Sequence, residues 1–451
     1  MNYKYIGKTE AKQMINMSDE IRRRYGAYDT PIHIVKFMVD ISGIRDFSNL
    51  KVLEPATGLA PFSRYIASLK GSWKDLYGVE INHAIVCILR KAYPEFNVIE
   101  GDYLLIDLND KFDLVIGNPP YGIIGSEDHY AISIFKDRKK IYRDRYETWR
   151  GKYNIYGLFI EKGVKDLKEY GTLVFIVPAT WMILDEFKIL RRFLSKHGKI
   201  EIYYLGKVFR GLNVTAVVLV VRKGYKGLEL YDATNFKPKL VYSLRDYDGS
   251  IISFKTPLTE AVERLAIGRL GDYYLIRISP RSPEIKSLSF VKRKVEPGYI
   301  CILNGKNLTR ANFIDYRTCY SGYYIKPEDV SKVREWFTRE RVIVGHTKGG
   351  KLVAALDRGL NNIWYAWMGD VYHLIPRNKT PFSNEELVEI LNSKVMNEYM
   401  KQKYRDITPH TTKTQLEILP LIQLKDLKIL SQKLLKPEND KCETKAKQVS
   451  K

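Results

Sequence analysis

Short apolar runs alternate with amphipathic stretches between residues 49 and 221 of the chain. The runs are continuously apolar, which is typical of strands that are covered on both faces of a parallel sheet. The pattern predicts strands at 51–54, 76–80, 98–99, 112–116 and 171–177, and helices at 32–41, 61–70, 82–92 and 155–169. A later apolar run at 214–221 is predicted to close the sheet as an antiparallel strand. The sequence therefore predicts an α/β domain built on a mainly parallel sheet.

The pattern changes after about residue 258, where strands become shorter, turns more frequent and loops more basic. The basic loops include LNGKNLTR, VGHTKGGK and YRDITPHTTK, and a helical pattern returns only at 384–400. A chain of 451 residues is long enough for two domains. We therefore expect a first domain at 1–258 and a mixed α+β domain at 259–435. The charged tail at 436–451 is predicted to be disordered.

Charge narrows the classes of partner. The chain has 74 Lys and Arg against 52 Asp and Glu, a formal net charge of +22. Such an excess attracts polyanions, so nucleic acid is the leading partner class. An anionic membrane surface is second, and a general solubility charge is a third explanation. The N-terminus has no apolar signal core, and the longest apolar run, at 172–184, is too short for a membrane span. We therefore expect a cytoplasmic protein that does not insert into membranes.

Cysteine and histidine spacing gives no sign of a metal site. Cys87, Cys301, Cys319 and Cys442 are scattered without a CxxC pair, so neither a disulfide framework nor a zinc site is indicated. The seven histidines form no HExxH or similar pair. We expect no metal cofactor.

An acidic residue ends or follows each of the first three predicted strands. Glu54 ends the first and Glu80 the second, and Asp102, with Tyr103 beside it, follows the third. Taken singly, each acid is more often a surface or capping residue, but ligands in open α/β sheets bind at the strand ends that all three share. The loop VLEPATG contains one glycine, Gly58, which argues against a diphosphate cradle. Acids without such a cradle suit S-adenosylmethionine, which carries ribose hydroxyls, an adenine amino group and a cationic sulfonium.

The fourth predicted strand ends in Asn118-Pro119-Pro120-Tyr121, which on its own is either a stiff turn or a binding element. The segment resembles the (D/N)PP(Y/F) signature of amino-methyltransferases. Further segments resemble, in order, motifs of the M.TaqI-like γ-class adenine-N6 DNA methyltransferases: GNPPYGIIG (117–125), GKYNIYGLFIEK (151–162), VPATW (177–181), YYLGKVF (203–209), HTKGG (346–350) and YRDITPH (404–410). The resemblance extends from about residue 29 to about residue 420. It implies a Rossmann-like S-adenosylmethionine-dependent methyltransferase domain, followed by a DNA target-recognition domain.

The resemblance also implies a reaction and a catalytic element. The reaction is transfer of a methyl group from S-adenosylmethionine to N6 of an adenine that has been flipped out of double-stranded DNA. The side-chain oxygen of Asn118 and the backbone carbonyl of Pro119 are expected to accept hydrogen bonds from the adenine amino group. Proline restricts φ and so sets the direction of these carbonyls. Tyr121 is expected to stack on the base, with Phe209 opposite it, and Pro120 to line the junction of cofactor and base.

Cofactor contacts implied by the resemblance come from several segments of the first domain. Glu80 is expected at the ribose and Asp102 at the adenine amino group, with Ile81 and Tyr103 packing on the adenine ring. The whole expected set is Thr30, Glu54, Ala56, Glu80, Ile81, Asp102, Tyr103, Pro120 and Phe159.

DNA contacts in the second domain are implied at two positions. Lys348 of HTKGG and Pro409 of YRDITPH match family positions in DNA-contacting loops, and Pro409 is expected beside the thymine left unpaired. We expect a monomer that acts on double-stranded DNA as the modification enzyme of a restriction–modification system, which can include a cognate restriction endonuclease.

Two other interpretations stay open. NPPY-type enzymes also methylate RNA adenine or a protein glutamine, although these enzymes generally place the substrate module before the catalytic domain. A DNA-binding protein that has lost catalysis is the non-enzymatic alternative. The intact segment 118–121 and the intact strand-end acids argue against it.

Overall fold

The computed structural model describes residues 30–124, 131–132, 135–151, 153–209, 214–377 and 379–435. The chain divides into two compact units, Met1–Ile252 and Ser253–Lys451. The tail at 436–451, for which disorder is predicted, lies outside the described residues.

The first unit contains eleven described strands. They are β1 Val52–Pro55, β2 Leu76–Glu80, β3 Asn97–Glu100, β4 Phe112–Gly117, β5 Ile123–Ile124, β6 Ala131–Ile132, β7 Leu167–Pro178, β8 Gly198–Gly206, β9 Ala216–Lys223, β10 Leu228–Asp232 and β11 Lys239–Leu244. Nine of them form one sheet in the order β11-β10-β8-β9-β7-β4-β1-β2-β3, and β5 pairs with β6. From β7 to β3 the neighbouring strands are parallel, whereas β9 is antiparallel to both β7 and β8.

Helices lie between these strands along the chain. They are α1 Ile32–Ile41, α2 Pro61–Lys70, α3 His83–Ala92, α4 Lys139–Arg145, α5 Tyr156–Asp166 and α6 Lys188–His197, with a 3₁₀ turn at Lys136–Arg138 before α4. Local signals explain several helix ends. Pro61 begins α2, a position where the backbone N–H that proline lacks would form no bond within the helix. Gly71 ends the helix in a left-handed conformation, with φ +71°. The Asn82 side chain caps α3 by accepting a hydrogen bond from the N–H of Ala84 at 3.0 Å.

The predicted α/β fold is confirmed, and its deviations have identifiable causes. The helix predicted at 155–169 ends at Asp166, because Leu167 is buried and already pairs with Phe112 of β4. The run predicted at 214–221 forms the antiparallel strand β9, but the prediction that it closes the sheet is wrong. β9 lies between β7 and β8, and β10 and β11 extend the sheet beyond them. Strand order depends on pairing between distant segments, which local periodicity does not encode.

The second unit is a mixed α+β structure. Its strands are β12 Gly268–Arg269, β13 Tyr274–Ile278, β14 Ile300–Cys301, β15 Leu303–Asn304, β16 Leu308–Arg310, β17 Phe313–Ile314, β18 Tyr324–Ile325, β19 Arg341–Gly345, β20 Ala354–Asp357, β21 Trp367–Met368, β22 Val371–Pro376 and β23 Pro420–Leu421. Its helices are α7 Pro257–Arg264, α8 Leu270–Tyr273, α9 Ser282–Lys286, α10 Val330–Val333, α11 Asn384–Asn392, α12 Lys394–Tyr404, α13 Lys413–Glu417 and α14 Leu424–Leu435. The largest sheet has the antiparallel order β13-β22-β19-β20.

The expectation about cysteines is wrong for one pair. Cys301 and Cys319 form a disulfide, with their Cα atoms 5.4 Å apart. Cys301 lies in β14, which pairs with β18, and the turn leading into β18 carries Cys319 back to it. The spacing of 18 residues gave no signal because the pairing of β14 with β18, two strands that are distant in sequence, brings the thiols together.

None of the helices in the described part of the chain combines the length and apolar character needed to span a bilayer.

Candidate active site

The carboxyl ends of β4, β1, β2 and β3 form one edge of the sheet, in that spatial order. Asn118 follows β4 directly, Glu54 lies in β1, Glu80 ends β2, and Asp102 follows β3. Adjacent strands are about 4.8 Å apart, so this edge extends roughly 14 Å from β4 to β3. The structure therefore brings the four predicted strand-end side chains to one edge.

Glu54 is buried and caps the helix that follows it. Its Oε1 accepts a hydrogen bond from the backbone N–H of Phe62 at 3.2 Å, and its Oε2 accepts one from Ser63 at 2.7 Å. These N–H groups lie in the first turn of α2, where the helix cannot satisfy them itself. Burial raises the pKa of Glu54 to about 7, although hydrogen bonds to the carboxylate act in the opposite direction. The carboxyl group is therefore able to change charge near neutral pH.

Glu80 joins the end of β2 to the loop after β1. Its Oε2 accepts from the N–H of Gly58 and its Oε1 from that of Asn82, both at 2.9 Å. Ala56 and Gly58 have φ values of +52° and +51°, a left-handed conformation that alanine rarely adopts. A Cβ atom added at Gly58 meets no atom within 4 Å, so this strained loop borders open space. Strained backbone beside open space is typical of a ligand-binding loop.

Asp102 is held by groups that the sequence did not single out. Its Oδ1 accepts from the N–H of Leu104 at 3.0 Å, and its Oδ2 accepts from Arg138 Nη1 at 2.7 Å and from the hydroxyl of Tyr142. The Asp102 side chain is 8% exposed. Burial, followed by the hydrogen bond to Asp102, raises the pKa of Tyr142, so its hydroxyl stays protonated and donates.

Tyr103 presents a buried ring beside Phe159, with ring centroids 5.2 Å apart. The Tyr103 hydroxyl donates to Asp166 at 2.8 Å, and Lys162 donates to the same carboxylate at 3.0 Å. The Lys162 ammonium also lies 4.8 Å from the centroid of the Tyr103 ring, within cation–π range. These contacts fix the ring plane of Tyr103. Ile81, another residue expected at the adenine, is half-buried.

Asn118 is oriented by its neighbours on both ends of its amide. Its Nδ2 donates to the Thr30 hydroxyl at 3.0 Å, and its Oδ1 accepts from the Tyr121 hydroxyl. The Tyr121 hydroxyl also lies 2.9 Å from the carbonyl oxygen of Ile176 in β7. With Nδ2 directed at Thr30, the carbonyl end of the amide faces Tyr121 as the acceptor. The next residues, Pro119 and Pro120, are buried.

Three aromatic rings meet beside this asparagine. Tyr121 lies 6.3 Å from Phe209 with ring planes at 67°, and 6.3 Å from Tyr156 with ring planes at 89°. All three rings are buried. The predicted stacking pair, Tyr121 and Phe209, is therefore brought into edge-to-face contact.

The two candidate DNA-contacting residues lie in joined loops of the second unit. The N–H of Gly350 donates to the carbonyl of Pro409 at 3.0 Å, and the Thr347 hydroxyl lies 2.9 Å from His410 Nδ1. Pro409 is exposed. Lys348 is exposed in part, and its ammonium donates to the carbonyls of Gly305 at 2.9 Å and Leu308 at 2.6 Å, while desolvation lowers its pKa. Lys348 thus ties its loop to the segment 305–308.

Sequence reasoning missed Thr30 as a partner of Asn118 and missed Arg138 and Tyr142 altogether, because these contacts join segments up to 88 residues apart. Tyr156 lies within the quoted segment 151–162, but the sequence assigned it no contact with Tyr121. Within the described ranges, no group of three or more His, Cys, Asp or Glu side chains is placed to hold a metal ion.

Comparisons with known proteins identify the family of each unit of the chain. Residues 56–209 match the family described as Eco57I restriction-modification methylase, and residues 300–421 match the TaqI-like C-terminal specificity domain. The chain is 41% identical to the Type II methyltransferase M.TthHB8I of Thermus thermophilus over 406 residues, 89% of this chain and 91% of that protein. It is 24% identical to the Type II methyltransferase M.HincII of Haemophilus influenzae, over 68% of this chain and 61% of that one.

A solved structure supports the fold alone. A nuclease-deletion mutant of the Type ISP restriction–modification enzyme LlaGI, in complex with a DNA substrate mimic, superposes with a TM-score of 0.54 at 13% identity. The alignment covers 94% of this chain and 56% of LlaGI.

These family matches define an S-adenosylmethionine-dependent DNA methyltransferase. The chain belongs to the TaqI-like Type II methyltransferases of restriction–modification systems. S-Adenosylmethionine is its cofactor, and the residues present fit that molecule. Glu80 and Asp102 offer carboxylate oxygens to hydroxyl and amino groups, and Gly58 leaves open space beside them.

Proposed function

We propose that this protein is a site-specific DNA methyltransferase that flips an adenine out of the duplex and methylates its N6. The observation that carries the proposal is the geometry of Asn118, whose amide is turned so that its oxygen serves as an acceptor beside two aromatic rings. An exocyclic amino group is the base substituent that such an acceptor recognises.

The strand-end acids suggest which part of the cofactor lies at which end of the sheet edge. We assign Glu80 to the ribose hydroxyls and Asp102 to the adenine amino group, with Tyr103, Phe159 and Ile81 around the adenine ring. Thr30, Ala56, Glu54 and Pro120 belong to the methionine end and to the junction with the target base. The edge of roughly 14 Å between β3 and β4 accommodates a nucleoside with its amino-acid chain. S-Adenosylmethionine supplies an electrophilic methyl group.

Asn118 and Pro119 prepare the nucleophile. The lone pair of an adenine amino group is delocalised into the ring, so the nitrogen attacks poorly until it is drawn toward tetrahedral geometry. The Asn118 side-chain oxygen and the Pro119 carbonyl accept its two N–H bonds and stabilise the positive charge that develops on nitrogen. The oxygen of Asn118 accepts from Tyr121, and an amide oxygen can accept from more than one donor.

Tyr121 and Phe209 hold the base in the proposal. Their centroid separation of 6.3 Å lies within the range of about 4.5–7 Å for rings in direct contact. A base that inserts between them must therefore increase their separation, and its stacking on both rings compensates for moving them apart. The gain offsets part of the cost of a few kcal/mol for leaving the duplex stack.

The second unit is proposed to recognise the DNA target. Support comes from its match to the TaqI-like C-terminal specificity domain at 300–421 and from its basic loops. Pro409 is proposed at the unpaired partner base. Lys348 keeps one ammonium N–H for a phosphate after its two carbonyl contacts. We also propose that the protein acts as a monomer and protects DNA from a cognate restriction endonuclease.

Labelling of duplex DNA tests the function. The full-length protein is incubated with tritiated S-adenosylmethionine and double-stranded DNA, and the DNA is digested to nucleosides and separated. The label is expected on N6-methyldeoxyadenosine and to fall about 10²- to 10³-fold with Asn118→Ala, which removes one stabilising acceptor. Label on cytosine, or on RNA or protein but not duplex DNA, refutes the proposal.

A further inference from the structure

The Asp102 carboxylate has most of its acceptor capacity committed within the protein. An ionised carboxylate offers about four acceptor positions. The N–H of Leu104 takes one on Oδ1, while Arg138 and Tyr142 take two on Oδ2. About one position is left, and it lies on a side chain that is 8% exposed. Asp102 can therefore accept about one further hydrogen bond, in a direction that its neighbours fix.

The segment that carries Arg138 and Tyr142 is anchored to the loop after β3. Arg138 ends the 3₁₀ turn and Tyr142 lies in α4, with its ring fully buried. Beyond them, Arg145 forms an ion pair with Asp107, and the Tyr146 hydroxyl donates to the carbonyl of Leu104 at 2.6 Å. These contacts hold the segment 138–146 against the part of the loop that follows Asp102, so the two donors are fixed relative to the carboxylate.

A charged donor has a specific effect on a carboxylate in this setting. A cation or hydrogen-bond donor on one oxygen of a carboxylate stabilises the charged form and holds its plane. In that form both oxygens only accept, so the group can bind an amino group and has no hydrogen to offer a carbonyl group. Arg138 supplies the cation and Tyr142 a second donor on the same oxygen.

We propose that Arg138 and Tyr142 are positioning residues that keep Asp102 an oriented acceptor and thereby make the cofactor site specific for a 6-aminopurine. The inference rests on the proposed contact between Asp102 and the adenine amino group. A 6-oxopurine presents a carbonyl oxygen to the carboxylate, so two acceptors face each other and neither finds a donor. The site therefore rejects the 6-oxopurine. Without Arg138 or Tyr142, the Asp102 carboxylate loses a donor that holds its orientation, and the rejection weakens.

The test is a comparison of two ligands by calorimetry, without DNA. S-Adenosylhomocysteine and S-inosylhomocysteine differ in the 6-amino and 6-oxo groups. The full-length protein is expected to prefer the amino ligand by about 10- to 100-fold, the range for hydrogen bonds to charged groups. Arg138→Ala and Tyr142→Phe are expected to reduce this ratio to a few-fold, mainly through weaker binding of S-adenosylhomocysteine.

The control is Arg143→Ala, on the same helix. Arg143 is exposed and pairs with its neighbour Asp144 at 3.6 Å, so this variant is expected to keep the ratio. A ratio of affinities is insensitive to a general loss of folded protein, and Tyr142→Phe removes only one oxygen atom. If both variants weaken the two ligands equally, Arg138 and Tyr142 only support the fold and the proposal is overturned.

Asp102→Ala separates this inference from the function on which it rests. If Asp102→Ala keeps the amino preference, the assigned contact of Asp102 is wrong and the inference falls with it. If Asp102→Ala loses the preference while Arg138→Ala and Tyr142→Phe keep it, the contact stands and only the inference is refuted. Methylation of another base in DNA leaves the binding comparison unaffected.

Discussion

The side-chain amide of Asn118 donates a hydrogen bond to the hydroxyl of Thr30, with Nδ2 and Oγ1 3.0 Å apart. Thr30 lies just before α1, and Asn118 follows β4, so the bond joins distant parts of the first unit. The hydroxyl engages the amino end of the amide, and the oxygen at the other end accepts from the hydroxyl of Tyr121.

Removal of the Thr30 hydroxyl should slow the reaction. In Thr30→Val the Asn118 amide loses its anchor, and kcat is expected to fall about tenfold, the effect of roughly 1.4 kcal/mol in the barrier. Thr30→Ser keeps the hydroxyl and is expected to stay within a few-fold of the parent protein. Steady-state methylation together with calorimetry of S-adenosylhomocysteine binding measures both effects. A Thr30→Val protein with normal kcat and weakened cofactor binding would show that Thr30 acts on the cofactor alone.

Tyr121 combines a stacking face with a hydrogen-bonding hydroxyl, and two substitutions separate them. Tyr121→Phe keeps the ring but loses the contacts to Asn118 and Ile176. We expect a modest loss of kcat for Tyr121→Phe and a loss about 5- to 150-fold greater for Tyr121→Ala, because stacking on the base contributes about 1–3 kcal/mol. Methylation rates under single-turnover conditions measure the difference. Equal losses would assign the role of Tyr121 to its hydroxyl.

Phe209 should affect the stability of the flipped base. With 2-aminopurine at the target position, binding of the parent protein is expected to raise fluorescence as the base leaves the stack. Phe209→Ala removes one face of the base-binding pocket, and the rise is expected to be smaller, while Phe209→Leu keeps bulk and serves as the comparison. An unchanged rise in Phe209→Ala would place this ring outside the base pocket.

Glu54 should make stability depend on pH. Its pKa is about 7 in the folded chain against an ordinary value of 4.5, so folding favours the protonated form. The stabilisation is complete below pH 4.5 and is lost as pH rises through about 7. The free energy of unfolding, relative to Glu54→Gln, is expected to fall by about 1.4 kcal/mol per pH unit within that window and to level off above it. Urea denaturation of the parent protein and of Glu54→Gln, without cofactor and over a range of pH, measures this difference in the free energy of unfolding. A difference that is constant with pH would contradict the buried state of this carboxyl.

The disulfide should stabilise the second unit. It closes a loop of 18 residues, for which chain entropy in the unfolded state corresponds to about 3 kcal/mol. Substituting Ser for both Cys301 and Cys319 is expected to lower the melting temperature of the oxidised protein, and a reductant is expected to lower that of the parent protein by a similar amount. Cys87→Ser is the matched control, since Cys87 is exposed and forms no disulfide. Insensitivity to reductant would show that the bond does not form in solution.

Local sequence patterns were enough to locate most of the buried strands of the first unit and the residues at their carboxyl ends. Continuous apolar runs marked β1, β2, β4 and most of β7, because strands covered on both faces leave few positions for polar residues. The strand-end acids and the NPPY segment could be placed at one edge, because parallel strands present their carboxyl ends together.

Only the tertiary structure decided how those residues are used. Thr30 accepts a hydrogen bond from Asn118, and Arg138 and Tyr142 donate hydrogen bonds to Asp102. These bonds join residues 36 to 88 positions apart in sequence. The place of β9 inside the sheet and the Cys301–Cys319 bond are likewise contacts between distant residues. Periodicity reports which face of an element is buried. Which partner lies against that face depends on chain packing, and packing sets the direction and charge of each group in the site.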